Sequence, residues 1–156
     1  MPLDRIERKI LQLLQHDGRL ANVELASRIG LSESPCLRRV RNLERRGVIG
    51  GYAALVDQRA VGLTVTAFVQ VTLDKQPDAE TDAFHAHVRA EPHIVECHAT
   101  SGTHDYLMKV VARDIDHFSD LVMQGVLKYP GVRHVESSFS LGGIKRSGVL
   151  PVADEA

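Results

Sequence analysis

The hydrophobic pattern of this chain changes its period once, near residue 64, and that change constrains the fold more than any other feature. Before it, apolar residues recur at helical spacing; after it, they alternate. Ile6, Ile10, Leu13 and Leu14 mark a first helix, with Asp4 as its N-cap and Asp17-Gly18 as its stop. A short second helix begins at Asn22 and carries Leu25, Ala26 and Ile29 on one face. Gly30-Leu31 makes a tight turn. Ser32 then opens a third helix with Leu37, Val40 and Leu43 as its buried stripe, ending at Arg46-Gly47. Val48–Tyr52 reads as a short strand leading into a minimal wing. A helix, a short helix, a turn with glycine and a longer helix form the helix-turn-helix pattern.

Beyond a linker over 52–63, Val65, Ala67, Val69, Val71 and Leu73 alternate with polar residues and Phe68, as in a strand. Pro77-Asp78 breaks it, and a helix over 79–90 buries Phe84 and Val88. In a second strand Val95, Cys97 and Ala99 alternate with Glu96, His98 and Thr100; a third, Tyr106–Ala112, is apolar on both faces. Asp114 caps another helix reaching Val126, and a last strand over 132–141 turns Val135, Phe139 and Leu141 inward. Pro151–Ala156 reads as a frayed tail. The expected fold class is α+β: a winged helix-turn-helix domain (1–51) followed by a ferredoxin-like βαββαβ domain (64–150). Strands one and three lie centrally in such a sheet, and Phe68, Met108 and Val110 make their second face partly apolar. Two helices cover one face only, so the other is expected to meet a second copy of the chain.

Charge divides the same way. Residues 1–62 hold eleven Lys/Arg against seven Asp/Glu, a net of +4; the remainder is net −5. A polyanion therefore suits the first part alone. No apolar run approaches a membrane span, and the opening residues lack a signal-peptide pattern, so a cytoplasmic protein without membrane contact is expected. Cys36 and Cys97 are far apart and read as reduced thiols. The eight histidines show no metal-ligand spacing, and no P-loop, GxSxG or dinucleotide fingerprint occurs. Neither metal, cofactor nor catalytic residue is expected.

The third helix carries the sharpest functional signal. Arg38, Arg41, Asn42 and Arg45 recur on its outer face, with Arg39 beside them. Arginine can bridge guanine edges or phosphates, and asparagine pairs with adenine. Ser32, Ser34 and Pro35 lie at the helix start, where a recognition helix first meets the groove of double-stranded DNA, and Asn22 opens the preceding helix. A merely solvated basic stripe is the competing reading.

The runs Asn22-Val23-Glu24-Leu25-Ala26, Gly30-Leu31-Ser32, Pro35-Cys36-Leu37-Arg38-Arg39-Val40-Arg41-Asn42-Leu43-Glu44-Arg45 and Gly47-Val48-Ile49 resemble the Lrp/AsnC group of transcription regulators. So do Glu96-Cys97-His98, Ser101-Gly102, Asp105-Tyr106-Leu107 and Pro130-Gly131-Val132, in matching order. The similarity spans roughly 3–150 and is stronger toward the leucine-responsive branch. It implies an amino-acid-sensing second domain and homodimers that assemble into octamers; leucine or another apolar amino acid is the first candidate effector, because the sequence shows no obvious second charged group near the turn 101–106. His104 and the acidic stretch Asp114–Asp120 depart from the group's pattern.

The resemblance also implies effector binding, between dimers, near the turn Thr100, Ser101, Gly102, Thr103, His104, Asp105 and Tyr106. Those residues offer backbone amides, hydroxyls and one carboxylate, the set a free amino acid requires. Read alone, the turn fits better a plain hairpin with a left-handed glycine and a locally bonded Asp105; the resemblance tips the reading toward a site. Two other functions fit the two-domain plan: a sirohaem-decarboxylase-like enzyme, and a DNA compactor indifferent to effectors.

Overall fold

The computed structural model describes residues 2–74, 78–145 and 147–152. It divides into two compact units, one of residues 1–55 with 145–156 and one of residues 56–144. The chain therefore returns to its first unit after completing the second.

The first unit is built from α1 (Arg5–His16), α2 (Asn22–Ile29) and α3 (Glu33–Arg45). Asp4 caps α1 by accepting from the Glu7 amide at 2.8 Å, and the Glu7 side chain accepts from the Asp4 amide at 3.1 Å. This reciprocal pair satisfies two amides that a helix start leaves without partners. Gly30 ends α2 at φ 74°, a left-handed conformation that glycine adopts without steric cost, and Leu31 then donates back to the Ala26 carbonyl at 3.0 Å. Ile10, Leu25, Ala26, Ile29 and Leu43 form the core.

Three expectations are corrected in this unit. Cys36, not Leu37, occupies the α3 core stripe with Val40 and Leu43; Cys36 is fully buried and Leu37 is exposed. Position 36 falls nearer than 37 to the line through 40 and 43. Residues 48–52 form no strand, having no partner strand to pair with among the described residues. The tail is also not frayed throughout: Val152 packs on the helical core, and Gln12 donates to its carbonyl at 2.8 Å. Gln15 accepts from the Leu150 amide at 2.6 Å and donates to the Leu150 carbonyl at 3.2 Å. Residues 153–156 lie outside the described residues.

The second unit contains β1 (Val65–Leu73), α4 (Asp78–Ala90), β2 (Ile94–Ala99), β3 (Tyr106–Ala112), α5 (Ile115–Asp120) and β4 (Val132–Phe139). The break expected at Pro77 lies outside the described residues. The sheet order is β2-β3-β1-β4, with every pair antiparallel, which is the ferredoxin-like arrangement. Phe84 and Val88 of α4 and Phe118 of α5 pack on Ala67, Val69, Val71, Met108 and Val110. Here the expectation for β3 was out of phase. Val69 lies opposite Met108, and Phe68 opposite Lys109, so Met108 and Val110 face the helices. The face away from the helices carries Phe68, Leu107 and Lys109, with Val111 on the same side but buried.

A register shift between Ile94 and Glu96 leaves Val95 exposed. Leu141 lies beyond β4 and is fully exposed. The helix expected to reach Val126 continues from α5 as one π turn over Leu121–Gly125 and a 3-10 turn over Val126–Lys128.

Burial pushes the Asp4 carboxyl up, but the Glu7 amide and the Arg39 guanidinium outweigh it and hold it below the usual range. Replacing Asp4 by alanine is expected to cost the helix-turn-helix unit about 1 kcal/mol near neutral pH. A folded value below 3.8 means this stabilisation is complete above about pH 4 and is lost on further acidification. Denaturant melts of parent and variant between pH 2 and 7 should therefore converge at the acid end.

Candidate nucleic-acid interface and effector turn

An ionic clamp between α1 and α3 sorts the arginines of α3. Arg39 pairs with Asp4, and Arg46 reaches the buried Glu7 at 2.8 Å. The Glu7 carboxylate, taken out of water, needs such a partner, and Arg39 is engaged by the half-exposed Asp4, so both arginines have work inside the unit. Arg38, Arg41 and Arg45 remain exposed on the other side of the helix, Arg45 donating to Asn42 at 2.8 Å. With Ser34, Leu37, Arg39 and Asn42 they line a shallow concavity of about 620 Å³.

Ser32 stands at the N-cap of α3 but makes no capping bond, so its hydroxyl and the first-turn amides face outward. Such a helix start suits an anionic oxygen. Pro35 is half-buried in the first turn. Asn22 donates to the Glu33 carbonyl at 3.0 Å, tying the start of α2 to the start of α3; its own side-chain oxygen is buried without a hydrogen-bond partner. The roles of Arg46 and Glu7 are missing from the residue-by-residue reading, although the spacing of Asp4 and Glu7 is that of a capping box.

The turn from Thr100 to Tyr106 lies between β2 and β3. Thr100 closes it, its amide donating to the Asp105 carbonyl at 2.9 Å and its hydroxyl to the His104 carbonyl at 2.6 Å. Asp105 fastens the turn to β1. Its amide donates to the Val71 carbonyl at 2.9 Å, and its carboxylate accepts from the Leu73 amide at 2.7 Å. That second bond lies just past the last β1–β3 pair, Val71 opposite Tyr106, so the carboxylate continues the β3 side of the ladder where backbone pairing has ended.

His104 lies 3.3 Å from the Thr72 hydroxyl and 3.6 Å from Glu136, while the Tyr106 hydroxyl meets His85 at 2.9 Å. Ser101, Gly102 and Thr103 are exposed. Gly102 does not have the left-handed φ expected of a hairpin glycine, and a β-carbon there would meet nothing within 4 Å. Backbone conformation therefore gives no reason for a glycine at that position.

Among the described residues no group of three or more His, Cys, Asp and Glu could hold a metal ion, and no helix is long and apolar enough to cross a membrane. Burial raises both cysteine thiols above their ordinary value, which keeps them protonated and unreactive near neutral pH.

A basic helix displayed by a helix-turn-helix unit, joined to a ferredoxin-like unit with an open polar turn, defines a ligand-linked transcription regulator. The comparisons with known proteins give the family. The model of the Lrp/AsnC ligand binding domain matches residues 66–150, and that of a winged helix-turn-helix DNA-binding domain matches residues 3–49. The leucine-responsive regulatory protein of Salmonella typhimurium is 41% identical over 150 residues, covering 96% of this chain and 92% of that protein. Its Escherichia coli K12 counterpart is 40% identical over the same length, with the same coverage of each chain.

Among solved structures, a Neisseria meningitidis transcriptional regulator in complex with L-Met superposes with a TM-score of 0.93 at 42% identity, over 97% of each chain. An AsnC family regulator from Agrobacterium tumefaciens gives 0.91 at 37% identity, over 96% of this chain and 97% of that one. The chain belongs to the Lrp/AsnC family. It is a DNA-binding transcriptional regulator with a ligand-binding domain, and the decarboxylase alternative falls away.

Alanine at Arg38, Arg41 or Arg45 is expected to weaken duplex binding. Where the lost contact is to a phosphate, the slope of log affinity against log salt should flatten by about one per arginine. Arg39→Ala should act chiefly through stability. Fluorescence anisotropy over a salt series, paired with thermal melts, separates the two groups.

Proposed function

We propose that this regulator reads operator DNA as a homodimer through α3 and changes its assembly when an amino acid binds at the turn from Thr100 to Tyr106. The observation that carries the first half is the sorting of arginines. With Arg39 and Arg46 engaged inside the unit, Arg38, Arg41 and Arg45 form an outward stripe that begins at the uncapped start of α3. Arg41 and Ser34, on the outer side of the N-terminal half, contact bases. Arg38, Arg45 and the Ser32 end of the helix hold phosphates. Asn22 and Arg39 set the position of α3, and Pro35 shapes its first turn. Asn42 orients Arg45.

Dimers form through the sheet face that the helices leave uncovered, where Phe68 remains 41% exposed beside the half-buried Leu107. Pairs of reading helices then meet successive major grooves, so the operator is close to two-fold symmetric. Dimers associate further into octamers, with the effector turn at the junction between them. A protein that reads duplex DNA and keeps its thiols reduced works in the cytoplasm.

For the effector, Gly102 is the informative residue. Its open surroundings and ordinary φ leave close approach by a ligand as the reason for a missing side chain. Ser101 and Thr103 supply hydroxyls, and Asp105, with one oxygen already given to Leu73, receives the ammonium on the other. His104, held toward Thr72 and Glu136, walls the turn rather than binding the carboxylate, while Thr100 and Tyr106 brace its two ends. The Neisseria meningitidis relative is a complex with L-Met. Methionine and leucine are the effectors proposed here, by analogy with that complex and with the leucine-responsive relatives.

A thermal-shift screen of the full chain against the twenty amino acids should show a rise of several degrees with leucine or methionine at saturation. Gly102→Leu should leave the unliganded melting temperature within about 2 °C of the parent, as for a surface substitution, while removing that rise. Retention of the full rise would place the site elsewhere. Light scattering of the full chain should report a dimer or a multiple of it; a monomer at micromolar concentration would contradict the shared sheet face.

A further inference from the structure

We propose that Leu37 is a sequence-reading residue that recognises the 5-methyl group of a thymine in the major groove. The inference rests on the reading that α3 enters that groove. It begins from a side chain whose position the core does not explain. The interior of the helix-turn-helix unit is filled at this level by Cys36, with Val40 and Leu43 further along α3, and Leu37 is left 37% exposed.

Its neighbours on the helix surface are not apolar. Ser34 lies three residues before it and Arg41 four residues after, both on the same strip of surface, and Arg38 follows directly. All four line one concavity. A single exposed leucine elsewhere would need no explanation. Here it is the lone apolar group in the middle of a polar stripe, at the fifth residue of α3, within the N-terminal half that meets base edges in a recognition helix.

The chemistry of the groove offers this leucine one partner. Guanine, cytosine and adenine present donors and acceptors but no methyl group on their major-groove edges, whereas thymine adds a methyl group. Opposite any of the first three, Leu37 would leave a donor or acceptor without water or partner. Opposite thymine it removes two apolar surfaces from water together. Ser34 and Arg41, flanking it, are suited to polar edges at adjacent base pairs. The leucine thus contributes discrimination that the arginines cannot, because a guanidinium gains nothing from a methyl group.

The test uses the full chain and a duplex chosen by the parent protein from random DNA. Each thymine of one half-site is replaced in turn by deoxyuridine, which pairs identically but lacks the methyl group. At fixed salt, one position should lose about fourfold in affinity, the worth of one buried methyl group. Leu37→Ala should lose a similar factor on the thymine duplex and cease to distinguish thymine from uracil there. Leu37→Met should restore the distinction, and Arg41→Ala should keep it. An unchanged melt would show that Leu37→Ala folds.

Indifference of the parent to every replacement, or a selected half-site without thymine, would overturn the proposal while leaving α3 as the reader. So would a Leu37→Ala variant that still discriminates at the same position. Absence of any sequence preference in the parent would instead remove the reading of α3 on which the proposal stands.

Discussion

The clamp of Asp4 and Glu7 upon Arg39 and Arg46 is the interaction on which the DNA-reading unit depends. It does three things with four side chains. The two carboxylates close the start of α1 upon themselves. Their outer oxygens then engage two arginines of α3, which joins the first helix to the third where the short α2 cannot brace it. Because Glu7 is nearly buried, its removal would leave Arg46 with a lost partner in a partly dry site, which costs more than an exposed pair. The same engagement divides a helix with five closely spaced arginines into residues that hold the fold and residues that face outward.

The second unit answers a different constraint. Two helices cover one face of a four-stranded sheet and leave the other mixed. Phe68 and Leu107 share it with Lys109 and Glu96, and those two form an ion pair at 2.7 Å. Such a surface is apolar enough to associate and charged enough to fix the register of association. The turn from Thr100 to Tyr106 is bound to that architecture by Asp105 rather than floating beyond it, so whatever moves the turn also pulls on the end of β1.

Much of this was legible from residue order, and the failures have physical causes. Gly30, Asp4 and Asp114 announced helix ends correctly because capping is local chemistry. The order of strands and helices followed from one change of period. Facing was less secure: in β3 both faces are apolar, so alternation could not say whether Met108 or Leu107 pointed to the helices. In α3 the stripe was placed one residue off, since a buried cysteine looks polar to a pattern that counts leucines. The partners of Arg39 and Arg46 lie 35 and 39 residues away in sequence. No periodicity within one helix can reveal contacts of that span. At Gly102 the left-handed conformation expected of a hairpin glycine is absent, because turn chemistry alone does not fix φ.

The return of the chain to its first unit bears on how the protein is made. Helices α1 to α3 leave the ribosome early, yet Leu150 and Val152, which hydrogen-bond to Gln12 and Gln15, are added only after the whole sheet unit has been synthesised. Nascent domains ordinarily fold in the order in which they emerge. Here the unit that begins first is completed after the one that begins second. During the interval the surface of α1 that receives Val152 stays uncovered. A newly made DNA-reading unit therefore reaches its final form only in chains that carry a finished sheet unit.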